Sequence, residues 1–252
     1  MKEKRFELMK QYILDHSHVS LKELEEEFNV SMNTIRRDVN KILKDSRFEK
    51  VYGGVSVKEG TLVDFEYRNV ENKEDKKAIA QKAASFIESD DLIYIDSGTT
   101  TKYILDYVDE NIPLTIITNS LDVVLKAEKL RKANIFLIGH IFKKPTRSFV
   151  GVENDELSVK YNITKAFMAA TAVSINSGLM NSDIMEYEIK RQVIDKADKI
   201  FLLADETKFD HSTLLTYADL SAVDLLITNK KFTDPYSSYF VEHNIDVLHS
   251  YK

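Results

Sequence analysis

Residues 19–44 read VSLKELEEEFNVSMNTIRRDVNKILK, and their spacing decides the N-terminal fold. Ser20 stands where a helix N-cap belongs, Glu23 completes a capping box, and Leu21, Leu24 and Phe28 form an apolar stripe. Asn29-Val30 gives a turn, and Ser31 caps another helix running to about Lys44. At about 100° per residue, Ile35, Val39, Ile42 and Leu43 share one inward sector. Asn33, Arg37, Lys41 and Lys44 gather opposite, with Thr34 and Arg36 on the flanks. Two short helices joined by a tight turn, the second basic, make a helix-turn-helix.

Working outward, Phe6, Met9, Ile13 and Leu14 repeat at helical spacing in an earlier helix that stops near His16-Ser17-His18. On the other side, residues 47–52 alternate like a strand, Gly53-Gly54 turns the chain, and Val55-Ser56-Val57 returns. This is a small hairpin wing, whose tight turn suits glycine. Recognition helices read base edges from their first turns, so Asn33, Thr34, Arg36 and Arg37 are candidates for groove contacts; Lys41 and Lys44 suit phosphate. Ser31 at the helix start, with Lys50, Tyr52, Gly53 and Gly54 on the wing, completes the candidate DNA surface. Residues 31–58 carry seven Lys/Arg against three Asp/Glu in a chain of net charge −6, the pattern of a focused polyanion contact. A solvated helix face is the alternative, in which Arg36 and Arg37 pair with Asp38 or with Glu25-Glu26-Glu27; one of the two is expected to be partly so used.

The SxxTIRRD core at 31–38 and the VYGGV wing at 51–55 resemble the N-terminal domain of the DeoR family of bacterial transcriptional regulators. Two departures lie between helix and wing, where Ser46 replaces the usual glycine and Arg47 the usual apolar residue.

Residues 58–75 are polar and charged, a linker that becomes a helix near Lys73. Beyond it, apolar runs recur and end in small or polar residues: LIYID then SGTT, TIITN then S, IFLIG then H, FLLAD then ET, LLITN then KK. Amphipathic stretches at 79–87, 104–108 and 121–130 lie between them. Buried strands alternating with helices predict an α/β doubly wound, mostly parallel sheet, with ligands beyond the strands' carboxyl ends. The expected organisation is a winged helix-turn-helix at 1–58, a linker at 59–75 and an effector-sensing domain at 76–252.

The strand ends carry usable chemistry. Asp96 leads into Ser97-Gly98-Thr99-Thr100-Thr101, which leaves a strand for a helix and offers N–H groups and hydroxyls to a phosphate monoester. A plain helix cap is the alternative. Asn119 and Ser120 offer an amide and a hydroxyl, Gly139 permits close backbone approach, and His140 beside it suits a hydrogen bond better than a metal. Asp205 could bind sugar hydroxyls and Lys208 a phosphate.

DSGTT, TNS, the Gly139 strand end, FVG at 149–151 and ADETKF at 204–209 extend the DeoR resemblance over nearly the whole chain. Glu186 and Lys190-Arg191 match a helix of that family. The resemblance implies an effector domain like the ribose-phosphate isomerase and CoA-transferase fold, a phosphorylated sugar or related metabolite as effector, and a homodimer or higher oligomer binding double-stranded operator DNA, more often as a repressor. It also implies that Ser97, Gly98, Thr99 and Thr100 hold phosphate, with Asn119, Ser120 and Lys208 completing the pocket. Departures at His140, at Thr164 and at residues 169–173 point to an unusual ligand or a weakened sensor.

Other classes fare worse. With no cysteine, thiolate catalysis, disulfides and cysteine-ligated zinc are excluded. The six histidines show no metal-ligand spacing, there is no GxxxxGKS segment, and neither a metal nor a cofactor is expected. The start lacks a secretory h-region and no apolar run reaches the roughly 18 residues of a membrane span, so a cytoplasmic protein without membrane contact is expected. The alternatives are a sugar-phosphate isomerase with an accessory DNA domain, and a regulator acting through protein partners.

Overall fold

In the computed structural model, residues 2–16, 18–45, 48–57, 68–69, 72–152 and 161–251 are described. Ser46, Arg47, most of the linker and the Leu14 side chain lie outside the described residues. The chain divides into two units, Met1–Val63 and Asp64–Lys252.

The first unit comprises α1 (Lys2–His16), β1 (His18–Ser20), α2 (Leu21–Phe28), α3 (Met32–Ile42), β2 (Phe48–Val51) and β3 (Gly54–Val57). The inward sector read from the sequence is the one that packs: Met9, Ile13, Leu24, Ile35, Val39 and Ile42 are buried together with Val19, Phe48 and Val55. Ser20 Oγ accepts the Glu23 N–H at 3.1 Å, but the Glu23 carboxylate takes the Tyr12 hydroxyl at 3.3 Å, so the capping box is half realised. Asn29 makes the turn in the left-handed region at φ 46°. Helix α3 ends two residues earlier than its pattern suggested, with Leu43 as the C-cap.

The wing has a third strand. β1 pairs antiparallel with β3 to give the order β1-β3-β2, setting Val19 opposite Val55 and Ser20 opposite Gly54. The two glycines therefore do different things. Gly53 supplies the positive φ (+76°) and faces open space; a Cβ on Gly54 would sit 2.3 Å from the Val19 carbonyl oxygen. Gly54 is buried packing between strands, a correction to its place on the DNA surface.

The second unit runs α4 (Lys73–Ala84), β4 (Leu92–Ile95), a 3₁₀ segment (Thr101–Tyr107), β5 (Leu114–Thr118), α5 (Leu121–Ala127), β6 (Ala133–Leu137), β7 (Ile141–Lys143), β8 (Ser148–Val150) and β9 (Lys165–Met168). It continues with β10 (Ala172–Ser174), β11 (Gly178–Asn181), α6 (Ile184–Ile194), β12 (Lys199–Leu203), β13 (Leu215–Ala218), β14 (Leu225–Thr228), α7 (Tyr236–Glu242) and β15 (Asp246–His249). Seven strands form one entirely parallel sheet, ordered β15-β14-β12-β9-β4-β5-β6. Antiparallel pairing in this unit forms the small β10-β11-β13 and β7-β8 sheets.

The apolar runs are continuous because both sheet faces are buried. Ile93, Ile95, Ile116, Phe167 and Leu203 pack on one side; Tyr94, Ile117, Met168, Leu202 and Leu226 pack on the other. The chain winds outward from β4 in one direction and from β9 in the other, so the topological switch point lies between these two neighbours. Among the described residues, no helix is long and apolar enough to cross a membrane.

Candidate functional site

On the first unit, α3 presents an exposed face carrying Asn33, Arg36, Arg37, Lys41 and Lys44, while Thr34 is half-buried. Ser31 caps by position, and its hydroxyl pairs with the Thr34 hydroxyl at 3.1 Å. Arg37 Nε lies 3.7 Å from Asp38 while its side chain stays 57% exposed, so it is the arginine partly used within the fold. Asp38 is buried and takes its closer partner from α1, with Arg5 Nη2 at 2.7 Å. On the wing, Lys50 and Gly53 are exposed and Tyr52 projects fully. An ordered row of cations and amides on a recognition helix, with an aromatic at the wing tip, matches what duplex DNA requires.

On the second unit, a cleft opens at the switch point. Its wall includes Ser97, Gly98, Thr99 and Thr100 after β4, Ala169 to Thr171 after β9, Glu186 and Lys190 on α6, and Lys208 and Arg68. Lys190 is 5% exposed and donates to Asp96 and, at 2.9 Å, to the Ala169 carbonyl, bridging the two strand ends. Its ammonium also lies 5.3 Å from the Tyr217 ring centre. Asp96 accepts the Ser97 and Ala169 N–H groups at 2.9 Å each. Burial opposes charge on Glu186, yet Lys190 nearby and hydrogen bonds from Asn181 (3.1 Å) and Ser148 (2.8 Å) hold its pKa below the ordinary carboxylate value. Burial, with Asp96 and Glu186 close by, pushes the Tyr94 phenol well up, so it stays a donor, here to Asn119 Oδ1 at 3.0 Å.

The glycine-threonine segment works differently from its sequence reading. A Cβ on Gly98 would lie 2.4 Å from the Ala169 Cβ and 2.9 Å from Thr101 Oγ1, so Gly98 lets β4 and β9 end side by side. Thr101 Oγ1 accepts the Gly98 N–H and donates to the Asp96 carbonyl at 2.6 Å, which makes Thr101 an internal brace. Two of the loop's N–H groups, those of Ser97 and Gly98, are thus satisfied within the protein, and a seven-residue 3₁₀ segment follows where an α-helix was expected.

Other expected site residues stand around the cleft without lining it. Asn119 supports Ser97 by donating to its hydroxyl at 3.2 Å, and Ser120 caps α5 through the Val123 N–H. Asp205 is fully buried, 3.9 Å from the buried Lys76, and caps the turn that carries Lys208. Gly139 sits where a Cβ would be 2.7 Å from the Phe149 backbone. His140 is exposed with Nδ1 2.6 Å from the Gly151 carbonyl, which keeps the proton on Nδ1.

Sequence reasoning missed Arg68, Thr146 and Asn181, placed residues 169–173 by the pocket without assigning them a contact, and left Glu186 and Lys190 outside the site. Glu186 and Lys190 did carry a signal, since residues four apart share one helix face.

Comparison with known proteins adds to this geometry. Residues 5–61 match the DeoR-like helix-turn-helix domain, and residues 71–230 match the DeoR C terminal sensor domain. The HTH-type transcriptional regulator IolR of Bacillus subtilis is 48% identical over 248 residues, covering 98% of this chain and 99% of the relative. The glycerol-3-phosphate regulon repressor of Escherichia coli is 24% identical, covering 96% and 94% respectively. Among solved structures, ribose 5-phosphate isomerase A of Methanocaldococcus jannaschii shares 18% identity at a TM-score of 0.41 over 55% of each chain.

Proposed function

Because the chain belongs to the DeoR family of transcriptional regulators, a DNA-binding class, we propose that it represses genes of carbohydrate or polyol use, and that a phosphorylated metabolite in the switch-point cleft sets its operator affinity. The observation that carries this reading is the joint placement of Lys190, Lys208 and Arg68 with the Ser97, Thr99 and Thr100 side chains around one largely buried cleft. An ammonium has three donors, and two of those on Lys190 serve Asp96 and Ala169. A phosphate can take a third, together with hydroxyls and a second cation, at low dielectric cost. Glu186, kept ionised, is an acceptor for a ligand hydroxyl, which selects a hydroxylated carbon skeleton.

The same chemistry argues for sensing over turnover. An isomerase needs a base whose pKa lies near the working pH. Glu186 is shifted the other way, and Asp96 is engaged by Lys190 and two backbone N–H groups. Two protomers reading two half-sites, in the cytoplasm, complete the reading.

A thermal-shift panel of sugar and polyol phosphates beside their dephosphorylated counterparts tests it. A ligand at 100 times its Kd stabilises by about 2.7 kcal/mol. Phosphorylated members should raise the melting temperature, with the shift lost in Lys190→Ala and Lys208→Ala. Equal shifts from dephosphorylated compounds would sink the phosphate reading.

A further inference from the structure

We propose that the β6 edge of the parallel sheet is the surface on which a second copy of this chain docks. The two ends of the sheet differ in kind. At one end, β15 carries Asp246 and His249, the polar residues by which edge strands resist pairing. At the other, β6 reads Ala-Asn-Ile-Phe-Leu without a charge. Ile135, Phe136 and Leu137 are 37%, 43% and 44% exposed, and Ile141 and Phe142 of the next strand 53% and 40%.

Exposure alternates with neither face: Ile135 pairs with Ile116 and Phe136 with Ile117, which belong to opposite core clusters, so both sides of the edge carry exposed side chains, Phe136 with one ring contact to Tyr161 at 5.8 Å. A two-stranded edge contact would cover both sides and also satisfy the outward N–H and C=O groups.

The occupant follows from symmetry and charge. An antiparallel pairing of β6 with itself about Ile135 sets Ala133 against Leu137 and Asn134 against Phe136, so each copy meets an uncharged strand and no like charges oppose. A strongly charged partner would find no complement there. The five exposed side chains offer on the order of 450 Å² per copy, about 900 Å² for the pair before backbone and rim are added, approaching the size of a specific interface. A single winged helix covers one half-site, so a two-fold partner is also what the DNA reader needs. None of this depends on the identity of the effector.

The chain has no cysteine, which makes crosslinking clean. Single variants Ile135→Cys and Phe136→Cys place a thiol near the two-fold axis in either register. Val241→Cys, at an 81% exposed site on α7, is the control. Under mild diamide oxidation at tens of micromolar protein, at least one β6 variant should become a covalent dimer and the control should not. In sedimentation, the unmodified chain should run at twice its mass and the Ile135→Lys/Leu137→Lys variant at one chain mass with unchanged circular dichroism. A monomeric unmodified chain overturns the proposal. So does β6 crosslinking no greater than that of Val241→Cys, whatever the lysine variant does, including failure to fold.

Discussion

Lys190 ties together the two strand ends at which the sheet reverses, and its neighbours set what each nearby change should cost. Gly98 is the tightest of them. An added methyl meets Ala169 at 2.4 Å, and that neighbour cannot swing away because it is a Cβ fixed to a strand end. Gly98→Ala should therefore destabilise the sensor unit by about 1–3 kcal/mol, as overpacking does. A urea midpoint equal to that of the parent chain would show that the strand ends can part. Glu186 gives a pH signature. Its folded pKa is depressed despite burial, because Lys190 and the Asn181 and Ser148 donors favour the carboxylate. Its stabilising contribution is complete above the unfolded carboxylate pKa of about 4.3 and is lost as pH falls through the lower folded value. Glu186→Gln should thus be the less stable protein at pH 7, with the gap closing below about pH 4. Urea midpoints measured from pH 7 to pH 3 check this, and a gap independent of pH would mean the side chain acts by shape alone.

At the scale of elements, α3 is where sequence and structure agree most closely, for physical reasons. Its apolar residues recur with the helical period and Ser31 marks its start, although it ends at Ile42 and not near Lys44. The exposed face then separates into two kinds of cation. Arg36, near the helix start, should cost about 1–3 kcal/mol of specific binding on change to alanine and relax preference at one base position. Lys44→Ala should weaken every sequence alike and lower the salt slope by about one counterion. Gel shifts at several salt concentrations separate the two, and unchanged specific binding in Arg36→Ala would displace α3 as the reader. Elements lacking a periodic signal were hidden. β1 has three residues and exists only because β3 accepts it; β9, Lys-Ala-Phe-Met, is too short to announce itself. Of the cleft, the β4 loop and Lys208 were legible as polar tails after apolar runs. Gly98 was legible as necessary and misread as to why, since its constraint comes from Ala169, seventy-one residues away in the chain. Arg68 gave no local sign at all, because only tertiary packing carries it to the cleft.

For the whole molecule, the question is how occupancy of the cleft reaches the DNA reader. Arg68 and Asn69 lie near the start of the second unit, and the sensor holds both: Lys76 Nζ donates to the Arg68 carbonyl at 2.5 Å and Lys102 donates to the Asn69 side chain. Arg68 also lines the cleft, so an anion bound there would lie beside the start of the sensor unit. Burial, with Lys126, Arg147 and Lys73 nearby, lowers the Lys102 pKa, while Asp122 opposes the shift. Coupling between sites is a free energy and must be reciprocal. If the effector changes operator affinity by some factor, typically about 5–150, operator DNA must change effector affinity by the same factor. Isothermal titration of the effector with and without saturating operator duplex measures one side, and anisotropy of labelled operator with and without effector measures the other. Asn69→Ala and Lys102→Met leave the cleft lining in place but release the segment, so both factors should shrink together toward one while effector affinity for the protein alone stays within a few-fold. Full coupling in both variants would mean that the signal leaves the sensor by a route other than this segment. Loss of effector binding itself would mean that the grip shapes the cleft as well as transmitting from it.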